Sequence, residues 1–83
     1  MTKASWTTYI LECADGTFYT GITTDIDRRV GEHDSGVGAK YTRGRGPVRV
    51  VYTEACPDRS AASKREVQIK RLDRADKLKL IAM

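Results

Sequence analysis

The sequence is poor in the residues that build metal clusters and cross-links: among 83 residues there are two cysteines and one histidine. Cys13 and Cys56 form no C-x-x-C pair, and His33 is not spaced with them as in a zinc site. Two reduced thiols in or near the core are therefore expected. No apolar run approaches the ~20 residues that span a bilayer. The opening stretch MTKASWTTYIL carries one lysine but no apolar h-region or small-residue cleavage site. No signal peptide and no membrane association are expected, and a cytoplasmic protein is the default.

Acidic residues are missing from one long stretch. None lies between Asp34 and Glu54, where Lys40, Arg43, Arg45 and Arg49 stand instead. The net charge is +4 and the pI about 9.3. A surface of one sign attracts phosphate backbones, so nucleic acid is the expected partner class. With 40% hydrophobic and 31% charged residues, the chain reads as one folded domain over residues 1–83, near the lower size limit for a self-sufficient core.

Local patterns give the order β-β-α-β-α-α. Residues 6–13 and 17–22 are rich in Trp, Thr, Tyr, Ile and Phe and read as strands around the turn signal ADGT. TTDIDRRVGEHDSG reads as a short helix capped by Thr24, with Asp27 as its capping-box partner and Gly36 as its stop. GVGAKYTRGRG reads mostly as a loop. A strand over residues 48–54 and a longer helix starting near Pro57 or Asp58 follow, and RADKLKLIAM closes the chain as a third helix. A hairpin, one further strand and packed helices make an α+β domain.

Tyr9 and Tyr19 sit on the two hairpin strands. A two-residue turn at Asp15-Gly16 places them on opposite faces. A three-residue loop, Ala14-Asp15-Gly16 with Gly16 left-handed, sets Tyr19 opposite Leu11 and Tyr9 opposite Gly21, on one face. The sequence allows both; a shared face is the expectation. Glycine inside a strand marks close approach of another group, here the Tyr9 side.

The helices place polar groups on apolar faces. Ile26 and Val30 define the buried stripe of the first helix; Arg29 and His33 lie on or beside it, while Arg28 points away. On the long helix Ala62, Ile69 and Leu72 face inward, with Glu66 at the border. A carboxylate there needs a partner: Arg29, a neighbouring lysine, or a metal ion such as Mg²⁺.

Tyr9, then Tyr19-Thr20-Gly21, then Arg29 and His33 four apart, then Glu66 on a late helix, together resemble the GIY-YIG nuclease domain, in its small single-domain YhbQ-like branch. The resemblance runs from about Thr7 to Leu72. Thr7-Thr8-Tyr9 stands for Gly-Ile-Tyr and Tyr19-Thr20-Gly21 for Tyr-Ile-Gly, while Ile22 stands where some relatives carry lysine. The resemblance implies a three-stranded antiparallel sheet with flanking helices and an endonuclease hydrolysing phosphodiester bonds in DNA, including branched or structured DNA, in repair or recombination. Its alternative is a nucleic-acid-binding module with little cleavage of its own. It further implies catalytic roles for Tyr9, Tyr19, Arg29, His33 and Glu66, with one Mg²⁺ or Mn²⁺ ion on Glu66. Lys40, Tyr41, Arg43 and Arg45 would grip the nucleic acid, DNA rather than RNA, and a protein partner would supply specificity.

Overall fold

The computed structural model describes residues 5–35 and 46–83. Its elements are β1 (Trp6–Glu12), β2 (Phe18–Thr23), α1 (Ile26–Asp34), β3 (Arg49–Cys56), α2 (Arg59–Lys70) and α3 (Arg74–Ala82). The strands form one antiparallel sheet in the order β2-β1-β3, so the first strand is central. The expected β-β-α-β-α-α α+β fold is what the chain adopts.

The hairpin turn is the three-residue form. The Cys13 amide donates to Thr17 O at 2.8 Å, the Gly16 amide donates to Cys13 O at 2.9 Å, and Gly16 has φ 84. Only glycine enters that left-handed region at no steric cost. Asp15 fastens the turn by accepting from the Thr17 hydroxyl at 2.6 Å and the Thr17 amide at 3.1 Å. The resulting register pairs Leu11 with Tyr19 and Tyr9 with Gly21, so both tyrosines share a face.

β1 carries the core on both sides. Thr8, Tyr9, Ile10 and Leu11 are all buried. On one face Tyr9, Leu11, Cys13 and Val48 pack with Tyr19, Ile26 and Val30, which brings α1 over the hairpin. On the other, the Thr8 hydroxyl donates to Ala62 O at 3.2 Å, and α2 lies against all three strands with Ala62 and Ile69 fully buried. Each large apolar side chain buried in this way contributes about 1.5–3 kcal/mol. Pairing of β1 with β3 shifts register between Ile10 and Leu11. α3 is held to the hairpin by Arg74, which donates to Gly16 O at 3.0 Å and lies 4.7 Å from the Phe18 ring centroid.

The helix caps correct one expectation. α1 is capped by Asp25, whose carboxylate accepts from the Arg28 amide at 3.1 Å, not by Thr24. Thr23, at the end of β2, is the cause: its hydroxyl accepts from the Asp25 amide at 3.1 Å and donates to Asp25 O at 3.2 Å, and so turns Asp25 into the cap. α1 ends at Asp34 with Ser35 as C-cap; Gly36, the expected stop, lies outside the described residues. Asp58 and Asp73 cap α2 and α3, accepting from the Ala61 and Asp76 amides, each at 2.8 Å. β3 runs to Cys56, past the expected end at residue 54. Asp34 also accepts from the Val48 amide at 2.7 Å, tying the end of α1 to the approach to β3. Cys13 and Cys56 are both buried and form no disulfide, as expected.

Candidate active site

Three rings meet over the middle of the hairpin. The Tyr9 and Tyr19 ring centroids are 6.4 Å apart, and the His33 ring lies 6.1 Å from Tyr9 and 5.0 Å from Tyr19. The Tyr9 hydroxyl is 3.0 Å from His33 Nε2, across 24 positions of sequence. Both residues are 1% exposed. Gly21 makes room for this: a Cβ there would stand 2.6 Å from the Tyr9 hydroxyl oxygen and 3.1 Å from the Tyr19 ring. A side chain in that place and the Tyr9 ring in its observed position are mutually exclusive.

Burial pushes the Tyr9 phenol up to about 12, against a hydrogen-bond interaction with Arg29 that pulls it down. Burial also holds His33 below the ordinary imidazole value, and the Arg29 charge adds to that effect. At neutral pH the phenol therefore keeps its proton and the imidazole is uncharged. The direction of the Tyr9–His33 hydrogen bond follows the imidazole tautomer: with the ring proton on Nδ1, the phenolic O–H donates to Nε2.

Arg29 is itself anchored. Its guanidinium donates to Glu32 Oε1 at 2.8 Å, while Arg28 takes Glu32 Oε2 at 2.8 Å. Arg29 is half-buried beside the stripe and Arg28 is exposed, as the helical spacing predicts. The guanidinium so held keeps a charged fork beside the tyrosines.

Glu66, on α2, lies close enough for its charge to raise the Tyr9 phenol further. Its ion pair is with Lys70, at 3.2 Å. A structural Arg29–Glu66 pair is not what forms: among the described residues Arg29 pairs with Glu32, and Glu66 with Lys70. The Glu66 side chain is 22% exposed, so solvent reaches it. Among the described residues no group of three or more His, Cys, Asp or Glu could hold a metal ion. That donor set does not suit zinc, which wants several nitrogen or sulfur ligands. One solvent-reached carboxylate does suit Mg²⁺, which keeps most of its waters.

Sequence reasoning thus finds Tyr9, Tyr19, Arg29 and His33 where they meet, with Glu66 in electrostatic range. Lys40, Tyr41, Arg43 and Arg45 lie outside the described residues. It missed Glu32, although a carboxylate at i+3 from Arg29 and i+4 from Arg28 is a readable helix signal. It also missed the Tyr52–Glu54–Arg65 network, in which Glu54 Oε1 accepts from the Tyr52 hydroxyl at 2.6 Å and from Arg65 Nε at 3.0 Å. Among the described residues, no helix is long and apolar enough to cross a membrane.

The profile of the GIY-YIG catalytic domain matches residues 5–79. The chain belongs to the GIY-YIG family. Curated relatives include a UPF0213 protein of Natronomonas pharaonis, 60% identical over 74 residues that cover 89% of this chain and 87% of the relative. Another, from Desulfotalea psychrophila, is 56% identical over 80 residues, covering 95% of this chain and 73% of its own. The solution structure of a UPF0213 protein from Bacillus halodurans matches with a TM-score of 0.61 at 52% identity, over 94% of this chain and 83% of that one. A protein from E. faecalis, also a solution structure, matches with a TM-score of 0.62 at 47% identity, over 92% and 81%. The chain is therefore a small GIY-YIG protein of the UPF0213 kind. GIY-YIG domains are endonuclease domains, which bind nucleic acid and typically depend on a divalent metal.

Proposed function

We propose that this GIY-YIG domain is a metal-dependent endonuclease that hydrolyses phosphodiester bonds in DNA, branched or structured DNA included, in the service of repair or recombination. The observation that carries the reading is the 3.0 Å hydrogen bond between the Tyr9 hydroxyl and His33 Nε2, beside a guanidinium held by Glu32.

In this reading Tyr9 takes a proton from the attacking water while its own proton passes to Nε2. A phenol held near 12 is a poor free base at neutral pH, and the relay removes the need to form a phenolate first. Tyr19 packs against the imidazole and keeps its ring oriented. Arg29 offers its fork to the non-bridging phosphate oxygens as charge gathers there. Glu66 would hold the Mg²⁺ or Mn²⁺ ion, which supplies Lewis-acid neutralisation of the phosphate and of the departing oxygen. Lys40, Tyr41, Arg43 and Arg45 grip the strand, and a protein partner supplies substrate choice. Residues 1–83 act as one nuclease domain in the cytoplasm, a compartment that suits two cysteines with no disulfide between them.

The test is incubation with labelled single-stranded, duplex and flap DNA in Mg²⁺, Mn²⁺ or EDTA. The reading expects internal cleavage that EDTA abolishes. Strand binding without cleavage of any substrate in either metal favours the binding-module alternative, which the Glu66–Lys70 ion pair recommends as the second reading.

A further inference from the structure

A hollow of about 280 Å³ opens beside Arg29, and neither Tyr9 nor Tyr19 lines it. It is lined by Trp6 from the start of β1, Ile22 and Thr23 from the end of β2, Arg28 and Arg29 from α1, and Arg59 from the first turn of α2. Four elements thus line one concavity, and two of them, α1 and α2, bring three guanidinium groups to it. Two of them share the Glu32 carboxylate, and Asp25 lies 3.9 Å from Arg28. Arg59 has no carboxylate partner among the described residues; its guanidinium carbon stands 5.7 Å from the Trp6 ring centroid. The nearby Asp58 carboxylate is engaged in capping α2. Arg59 is therefore the one guanidinium of the hollow with no ion pair among the described residues, and its N–H donors are the ones open to a ligand.

The chemistry of that lining suits an oxyanion. An arginine set against an indole is weakly hydrated, loses little freedom on binding, and keeps its N–H donors for a ligand. Because Arg29 lines this hollow and also bears on Tyr9, a chain crossing the tyrosines would continue into it. We propose that the hollow holds a backbone phosphate of the bound strand, adjacent to the one attacked, with Arg59 and Arg28 as donors and Trp6 keeping Arg59 in place. The strand's identity rests on the nuclease reading above; the anion site itself rests on the hollow.

Trp6 is the sole tryptophan, so its emission reports directly on this place. The full chain is titrated with a short single-stranded DNA oligonucleotide in EDTA, where turnover does not interfere. The emission of Trp6 changes saturably. Arg59→Gln weakens strand binding about five- to tenfold and lowers the slope of log affinity against log salt by about 0.7, one phosphate contact on a single strand. Arg59→Lys, which keeps the charge, restores the slope. Thermal melts of both variants check that the fold is intact. Unchanged affinity and slope in Arg59→Gln would overturn the proposal. So would inorganic phosphate saturating the Trp6 response at concentrations as low as the strand requires, which points to a free phosphate ligand. A wild-type chain that cleaves nothing but loses strand affinity in Arg59→Gln contradicts the nuclease reading and leaves the phosphate site standing.

Discussion

Tyr9 lies so close across Gly21 that a single added methyl group would meet the phenol oxygen at 2.6 Å. The contact links a backbone requirement to the chemistry of the site. Gly21 is buried in β2 and its partner ring is 1% exposed, so neither side can move into solvent to relieve the overlap. Gly21→Ala is expected to push the phenol off His33 Nε2 and to lower cleavage by about 10²-fold or more, the loss of a positioned proton-transfer group. Strand binding measured by anisotropy should change far less. Equal activity in the variant would show that the phenol's position does not matter to the reaction.

Arg29 is tied to Glu32 and bears on Tyr9. Arg29→Ala should reduce single-turnover cleavage about 10²–10³-fold, as expected for a donor to developing negative charge. Arg29→Lys should recover only part of that, since a lysine offers charge without the planar fork. The same Arg29→Ala change should raise the Tyr9 phenol further, because Arg29 is what pulls it down. A spectroscopic alkaline titration followed by difference absorbance reads that shift.

His33 gives the fold a pH dependence of known sign. Burial and the Arg29 charge hold its folded value below the 6.5 of free imidazole. Below about pH 6.5 the unfolded chain takes up a proton that the folded chain refuses, so stability falls as pH drops toward the folded value. Urea midpoints should decline between pH 7 and pH 5, with a slope of at most ~1.4 kcal/mol per pH unit from this one group. His33→Gln should flatten that part of the profile. The lowered Glu32 value acts in the same direction, through the weakening of its arginine pairs, but only nearer the carboxylate range.

Much of this arrangement was legible in the sequence, and the reason is periodicity. Alternation along Tyr9–Leu11 and Tyr19–Gly21 reduces the question of a shared face to the choice between two turns, both open in the sequence, and the left-handed Gly16 decides for the three-residue form expected. Helical spacing fixes Arg29 inward and Arg28 outward, and it brings His33 over the hairpin two turns after Ile26. What escaped the sequence depends on three-dimensional competition. Arg29 had Glu32 and Glu66 as rival carboxylates, and short-range helix geometry favoured Glu32, which left Glu66 to Lys70. Thr24 was the expected cap, and the Thr23 hydroxyl at the strand end holds Asp25 in that place instead. The hollow beside Trp6 draws on residues from four separate elements, and no local pattern announces it.

The central claim is that Glu66 serves the reaction and not the fold. Its most direct test is single-turnover cleavage of a labelled DNA substrate in Mg²⁺ by wild type and by Glu66→Gln, with strand affinity and thermal melting measured on the same samples. The account predicts that cleavage falls at least ~10²-fold, the equivalent of about 3 kcal/mol of transition-state stabilisation, while affinity and melting temperature stay near the wild-type values. Cleavage at the wild-type rate in Glu66→Gln, or a loss of cleavage matched by a loss of folded protein, would contradict it.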